Sequence, residues 1–174
     1  MAYKIGFLIY DGVAELDFVG PKDVFFASSY LSHQNDHLYT VAATKTPVTC
    51  VGGLKVVPDH DFATAPLPDI LVVPGAVDPS PQLADPQLLA WVAAADRQTT
   101  WTTGVCTGSL ILTAAGPAKG RRITSHWSVI EALRAQNEAI VVDNERYVVD
   151  GKLCNQRRSQ CRYRHGAVAG WSAT

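Results

Sequence analysis

The stretch Gly104-Val105-Cys106-Thr107-Gly108-Ser109-Leu110 decides the fold. Ahead of it, residues 101–105 carry β-branched Thr102, Thr103 and Val105, which suits a short strand. Behind it, residues 110–115 (Leu-Ile-Leu-Thr-Ala-Ala) begin a buried helix that Gly116-Pro117 closes. A cysteine between strand and helix, with a glycine two residues to either side, matches Gly-x-Nuc-x-Gly. That is a nucleophile elbow with sulfur in place of a hydroxyl. Glycine permits the close backbone approach that such a turn forces. The helix N-terminus brings roughly +0.5 of an elementary charge, which favours thiolate over thiol. The N–H of Thr107 can face negative charge developing on a bound substrate. A buried structural cysteine at a helix start is the plainer alternative; the two glycines, the strand before and the helix behind favour the nucleophile.

The rest of the chain supplies a sheet around this strand. Residues 4–10 (Lys-Ile-Gly-Phe-Leu-Ile-Tyr) form a continuous apolar run, as in a strand buried on both faces of a parallel sheet. Asp11-Gly12 ends it, and a helix is predicted over about residues 21–29. Glu15 and Asp17 fall just beyond the carboxyl end of that first strand, where open α/β sheets bind ligands. For each acid alone, a helix cap or a solvated side chain is the simpler reading; the cysteine elbow raises Asp17 above it. Residues 39–44 read as a second strand. Residues 48–51 and 54–57 flank Gly52-Gly53 as a hairpin. Residues 69–75 read as a further buried strand, and the amide of Gly75 or Ala76 at its end is positioned to complete an oxyanion hole. Residues 85–95 suit an amphipathic helix with Leu88, Leu89, Val92 and Ala95 on one stripe. Residues 123–126 and 127–135 read as a strand end and a helix. A final hairpin is expected from residues 139–142 and 146–149. The sum is one doubly wound α/β domain, a mostly parallel sheet sandwiched by helices.

Composition narrows the functional classes. A chain of 174 residues is large enough for one domain with a substantial core. Its net charge of −1 points to no nucleic-acid partner. No apolar run reaches the ~18–20 residues of a membrane span. The N-terminus leads directly into a strand-like run rather than a signal peptide. Cys50, Cys106, Cys154 and Cys161 show neither metal-ligand spacing nor a disulfide framework. The expectation is a cytoplasmic protein with reduced thiols, no metal and no membrane partner.

Five stretches together resemble the ThiJ/PfpI superfamily, and within it the isonitrile hydratases. They are Ile5 to Val13, Leu16-Asp17-Phe18-Val19-Gly20-Pro21, Val72-Val73-Pro74-Gly75, Val105 to Leu110, and Gly120 to Trp127. The resemblance implies a flavodoxin-like, class I glutamine amidotransferase-like fold. It implies Cys106 as nucleophile, Asp17 as its acidic partner, and Thr107 as an assisting hydroxyl and amide. It further implies a small-molecule substrate, a homodimer and no cofactor. Relatives with peptide-hydrolysing chemistry tend to carry histidine directly after the cysteine, and Thr107 stands there instead, which argues against a Cys-His dyad. Glu15, Gly20 and His126 rank as secondary pocket residues, with His126 weighted towards a structural role. Many relatives carry Pro-Gly-Gly where this chain has Pro74-Gly75-Ala76. The reaction implied is hydration of an isonitrile to an N-substituted formamide through a thioimidate. The alternatives are a non-catalytic ligand-sensing domain, a redox-responsive protein working through Cys106, and another thiol-dependent hydrolase or glyoxalase-like enzyme.

After Leu153 the chain changes character, running Cys154-Asn155-Gln156-Arg157-Arg158-Ser159-Gln160-Cys161 with a polar, basic composition. The family would continue with Thr-Ser-Ala-Gly and a long packed helix. Codons allowed for residues 154–170, read displaced by one nucleotide, encode Ala-Thr-Ser-Ala-Gly-Val-Ser-Ala-Gly-Ile-Asp-Met-Ala-Leu-Trp-Leu. The expectation is a domain over residues 1–153 and a frameshifted tail over 154–174. Its basic run is then no nucleic-acid signal, and the chain is destabilised by the missing helix.

Overall fold

The uninterrupted apolar run after Lys4 forms strand β1 (Lys4–Leu8), whose last four residues are buried. The computed structural model describes residues 2–157. In chain order, α1 (Glu15–Leu31), β2 (His37–Ala42), β3 (Val48–Thr49), β4 (Lys55–Val56), β5 (His60–Asp61) and β6 (Ile70–Val73) follow. Next come α2 (Ser80–Leu83), α3 (Pro86–Asp96), β7 (Trp101–Val105), α4 (Gly108–Ala115) and β8 (Arg122–Ile123). A 3₁₀ turn (Trp127–Val129) leads into α5 (Ile130–Ala135), β9 (Ile140–Val141), β10 (Tyr147–Asp150) and β11 (Leu153–Gln156). No helix among the described residues is long and apolar enough to cross a membrane.

The main sheet has seven strands in the order β10-β11-β7-β6-β1-β2-β5. All neighbours run parallel except β10 and β11. Helices flank it, giving the flavodoxin-like, class I glutamine amidotransferase-like arrangement. Phe7, Leu8, Leu71, Val73, Ile111, Leu112 and Leu153 are all but inaccessible, so the core lies along the central strands and α4. β6 and β7 lie side by side, with Val73 opposite Gly104. This register places the β6 turn next to the cysteine.

Three sequence expectations need correction. Helix α1 starts at Glu15 rather than Pro21, and Pro21 lies inside it. Asp17 is therefore not a cap: the cap position is Ala14, and Asp17 sits in the first turn, where the helix dipole favours a carboxylate. The expected last hairpin does not form either. β9 pairs in parallel with β8, while β10 turns at Gly151 (φ +59°) and pairs with β11. Finally, β11 lies between β10 and β7, pairing Cys154 with Thr103 and Gln156 with Val105. The expected domain end at Leu153 thus cuts through a strand of the main sheet. Residues from Arg158 onward, including Cys161, lie outside the described residues, and with them most of the expected tail. The β3–β4 hairpin forms as its glycines predict, with Gly53 at φ +93°.

Candidate active site

Strand β7 delivers Cys106 in a left-handed backbone conformation, φ +56°. For a residue with a side chain this costs about 1–3 kcal/mol, and it persists only where the surroundings dictate it. Both elbow glycines help dictate it. A Cβ on Gly108 would run into the backbone carbonyls of Val73 and Pro74, and one on Gly104 would lie 2.8 Å from the Leu112 side chain. Strand, turn and helix are too close for anything larger. The Cys106 N–H donates to the Gln156 carbonyl at 3.0 Å. Its own carbonyl accepts from the Ser109 and Ser125 hydroxyls, each at 3.1 Å.

Asp17 is 2% exposed. Its Oδ2 accepts the Gly75 N–H at 3.1 Å. Thr107 Oγ1 accepts the Ala76 N–H at 2.9 Å and donates to the Ala76 carbonyl at 2.7 Å, clamping both backbone groups of one residue. Gly75 marks where these groups converge: a Cβ there would lie 2.6 Å from Thr107 Oγ1, 2.7 Å from the Thr107 nitrogen and 3.0 Å from Asp17 Oδ2. The structure thereby revises the expected oxyanion hole. The Gly75 and Ala76 amides already have side-chain acceptors, and the Thr107 hydroxyl is committed to Ala76. The amide of Thr107 is at the start of α4, where the first N–H groups have no carbonyl one turn back to receive them.

The secondary candidates have partners of their own. Glu15 Oε1 accepts the Gly52 N–H at 2.7 Å, tying the start of α1 to the β3–β4 turn rather than aiming at the cysteine. Gly20 is half-buried within α1. His126 caps the 3₁₀ turn, its Nδ1 2.7 Å from Ser128 Oγ. Among the described residues, no group of three His, Cys, Asp or Glu is arranged to hold a metal ion.

Tyr10 is a site residue that the sequence reading passed over. Its hydroxyl donates to the Pro74 carbonyl at 2.7 Å. Its proton is held well above the usual tyrosine range, first by burial, then by the negative charges of Asp17 and Cys106. The charges of both groups are felt at Tyr10; its place at the carboxyl end of the first apolar run was the available signal. Ser109 and Ser125 lay in the quoted stretches without a role, and Asn155 in the stretch read as tail. Asn155 is 1% exposed; its Oδ1 accepts the Thr124 N–H at 3.0 Å and its Nδ2 donates to the Thr124 carbonyl.

A cysteine on a strained elbow at the carboxyl edge of a parallel sheet, beside a buried carboxylate, defines an α/β domain of the class I glutamine amidotransferase type. The pattern of the DJ-1/PfpI family matches residues 3–160, and the chain belongs to that family. It is similar to isonitrile hydratase from Pseudomonas putida, 37% identical over 153 residues that make up 88% of this chain and 64% of that one. It is also similar to the HTH-type transcriptional regulator CdhR from Pseudomonas aeruginosa, 28% identical over 153 residues, 87% of this chain and 45% of that one. The chain spans less than two-thirds of the length of either relative. A ThiJ/PfpI family protein from Pseudomonas syringae superposes with a TM-score of 0.87 at 32% identity, covering 98% of this chain and 68% of that one. DJ-1beta from Drosophila melanogaster superposes with a TM-score of 0.83 at 20% identity, covering 98% and 89%, which speaks for the fold alone.

Proposed function

We propose that the protein hydrates isonitriles to N-substituted formamides, with Cys106 as nucleophile and Asp17 as proton donor and acceptor. The observation that carries this reading is the convergence at Gly75 of buried Asp17 and the Thr107 amide, directly beside the strained Cys106. The likeness to isonitrile hydratase supports the choice of substrate. The Cys106 thiolate adds to the terminal carbon of R–N≡C as Asp17 protonates that carbon, giving the thioimidate R–N=CH–S–Cys106. Water then adds to the same carbon and returns a proton to Asp17. The hydroxyl proton of the adduct moves to nitrogen, leaving an oxyanion that the Thr107 N–H stabilises. The carbon–sulfur bond breaks, releasing R–NH–CHO and the thiolate. The net change is isonitrile plus water to formamide.

A homodimer and a frameshifted tail belong to the same proposal. The ladder hydrogen bonds that join β11 to β7 and β10 are backbone bonds, so a strand of another sequence can form them, although the Asn155–Thr124 side-chain pairing belongs to the present frame. Formamide production from a simple alkyl isonitrile tests the reading in this chain, in a frame-restored chain and in the restored chain with Cys106→Ala. Turnover that vanishes with Cys106 supports it. No turnover in a folded, restored protein sinks it. The second reading, a ligand-sensing domain, is favoured by the likeness to CdhR; isonitrile binding without turnover would bring it forward.

A further inference from the structure

Two buried hydroxyls beside the elbow have no part in the reaction steps above. Ser109, in the first turn of α4, and Ser125, after β8, are both fully inaccessible. Their oxygens lie 2.5 Å apart, and each lies 3.1 Å from the Cys106 carbonyl oxygen. Two hydroxyl protons serve this triangle. When one serine donates to the other, the second donates to Cys106, so the carbonyl is never without a donor. The Thr124–Asn155 pairing holds the loop that carries Ser125 against β11.

The consequence reaches the other side of the peptide. In a planar trans peptide the carbonyl of one residue and the N–H of the next point in opposite directions. Fixing the Cys106 carbonyl on the serine pair therefore directs the Thr107 N–H away from it. The Thr107 nitrogen lies against Gly75, so close that a Cβ there would come within 2.7 Å of it and 3.0 Å of Asp17 Oδ2. Without the serines, the peptide between Cys106 and Thr107 is released to rotate out of a conformation that is strained at φ +56°. We propose that Ser109 and Ser125 are positioning residues: they hold the Cys106 peptide in its strained orientation and thereby aim the Thr107 N–H at charge developing on the substrate. The kinetic part of this inference rests on the hydratase reading; the backbone part does not.

The experiment uses Ser109→Ala, Ser125→Ala and the double variant in the full chain, each checked for folding by circular dichroism. The Thr107 amide resonance in ¹H–¹⁵N spectra reports the orientation of the peptide. Steady-state kinetics on an alkyl isonitrile report its effect. A displaced Thr107 resonance is expected in the double variant, with kcat down about three- to tenfold, the loss of one ordinary hydrogen bond, and KM within about twofold, while each single variant keeps one donor on the carbonyl and stays close to the unaltered protein. A Thr107 resonance unmoved in the folded double variant overturns the inference, as does an unchanged kcat in that variant of an active protein. Should the double variant fail to fold, Ser109→Ala combined with Ser125→Gly decides by the same criteria. Should the unaltered protein make no formamide, the hydratase reading falls, and the resonance alone decides the positioning role.

Discussion

Each described cysteine sits in a different environment, and the environment sets its reactivity. Cys106 is half-buried at a helix start; Cys50 and Cys154 are buried. Burial raises the Cys154 thiol to about 11, and burial together with the charges of Glu15 and Asp11 raises that of Cys50. Thiolate is the reacting form, so these two are protonated and inert at neutral pH. A short iodoacetamide pulse at pH 7.5, followed by peptide mass mapping, is expected to label Cys106 ahead of Cys50 and Cys154. Equal labelling of the three would contradict the assignment. Tyr10 follows the same logic from the other side: burial and the charges of Asp17 and Cys106 keep its phenol protonated, and that proton is donated to the Pro74 carbonyl.

Among the elements, β11 decides most. It inserts between β7 and β10, supplies the Gln156 carbonyl that receives the Cys106 N–H, and carries Asn155 beneath the Ser125 loop. Removing it would expose the edge of the nucleophile strand and leave buried Thr124 groups without partners, each costing about 1–3 kcal/mol. A chain ending at Leu153 is therefore expected to lose its cooperative thermal transition, while one ending at Arg157 keeps it. Circular dichroism melts compare the two. Equal melting of both would show that β11 is dispensable and restore the boundary read from the sequence. The boundary read at Leu153 falls inside this strand for a physical reason. A strand in a sheet interior is held through its backbone, so polar Asn155 and Gln156 occupy positions that hydropathy assigns to a tail.

At the scale of the whole molecule, the buried acids with raised values set the alkaline limit. Tyr10, Tyr39 and Cys154 all keep their protons to higher pH in the fold than in the open chain, where the values are 10.0 for tyrosine and 9.0 for cysteine. Above about pH 9 the unfolded chain therefore binds fewer protons than the native one, and stability falls as pH rises. Below that value the contribution is fully present. The urea midpoint is expected to hold level from pH 7 to 8.5 and to drop steadily between pH 9 and 11. A midpoint unchanged at pH 10.5 would show that these groups titrate freely in the native state.

Much of the architecture was legible in short range. The uninterrupted apolar runs of β1 and β6, the Gly52-Gly53 turn, and the glycines around Cys106 act through local sterics and through burial on both faces, which a linear pattern records. The elbow around Cys106 could be read in this way, and so could the doubly wound class. What the chain order does not record is which distant segments meet. The commitment of the Gly75 and Ala76 amides to Asp17 and Thr107, the pairing of Glu15 with Gly52, the approach of Ser125 to the Cys106 carbonyl and the capture of β11 by β7 all join residues far apart in sequence. Hydrogen bonds of that kind depend on register and crossover, which packing of the whole sheet fixes. The sequence alone determined the elbow that carries Cys106; only the tertiary structure decided which groups surround it, because their directions are set by neighbouring strands and not by neighbouring residues.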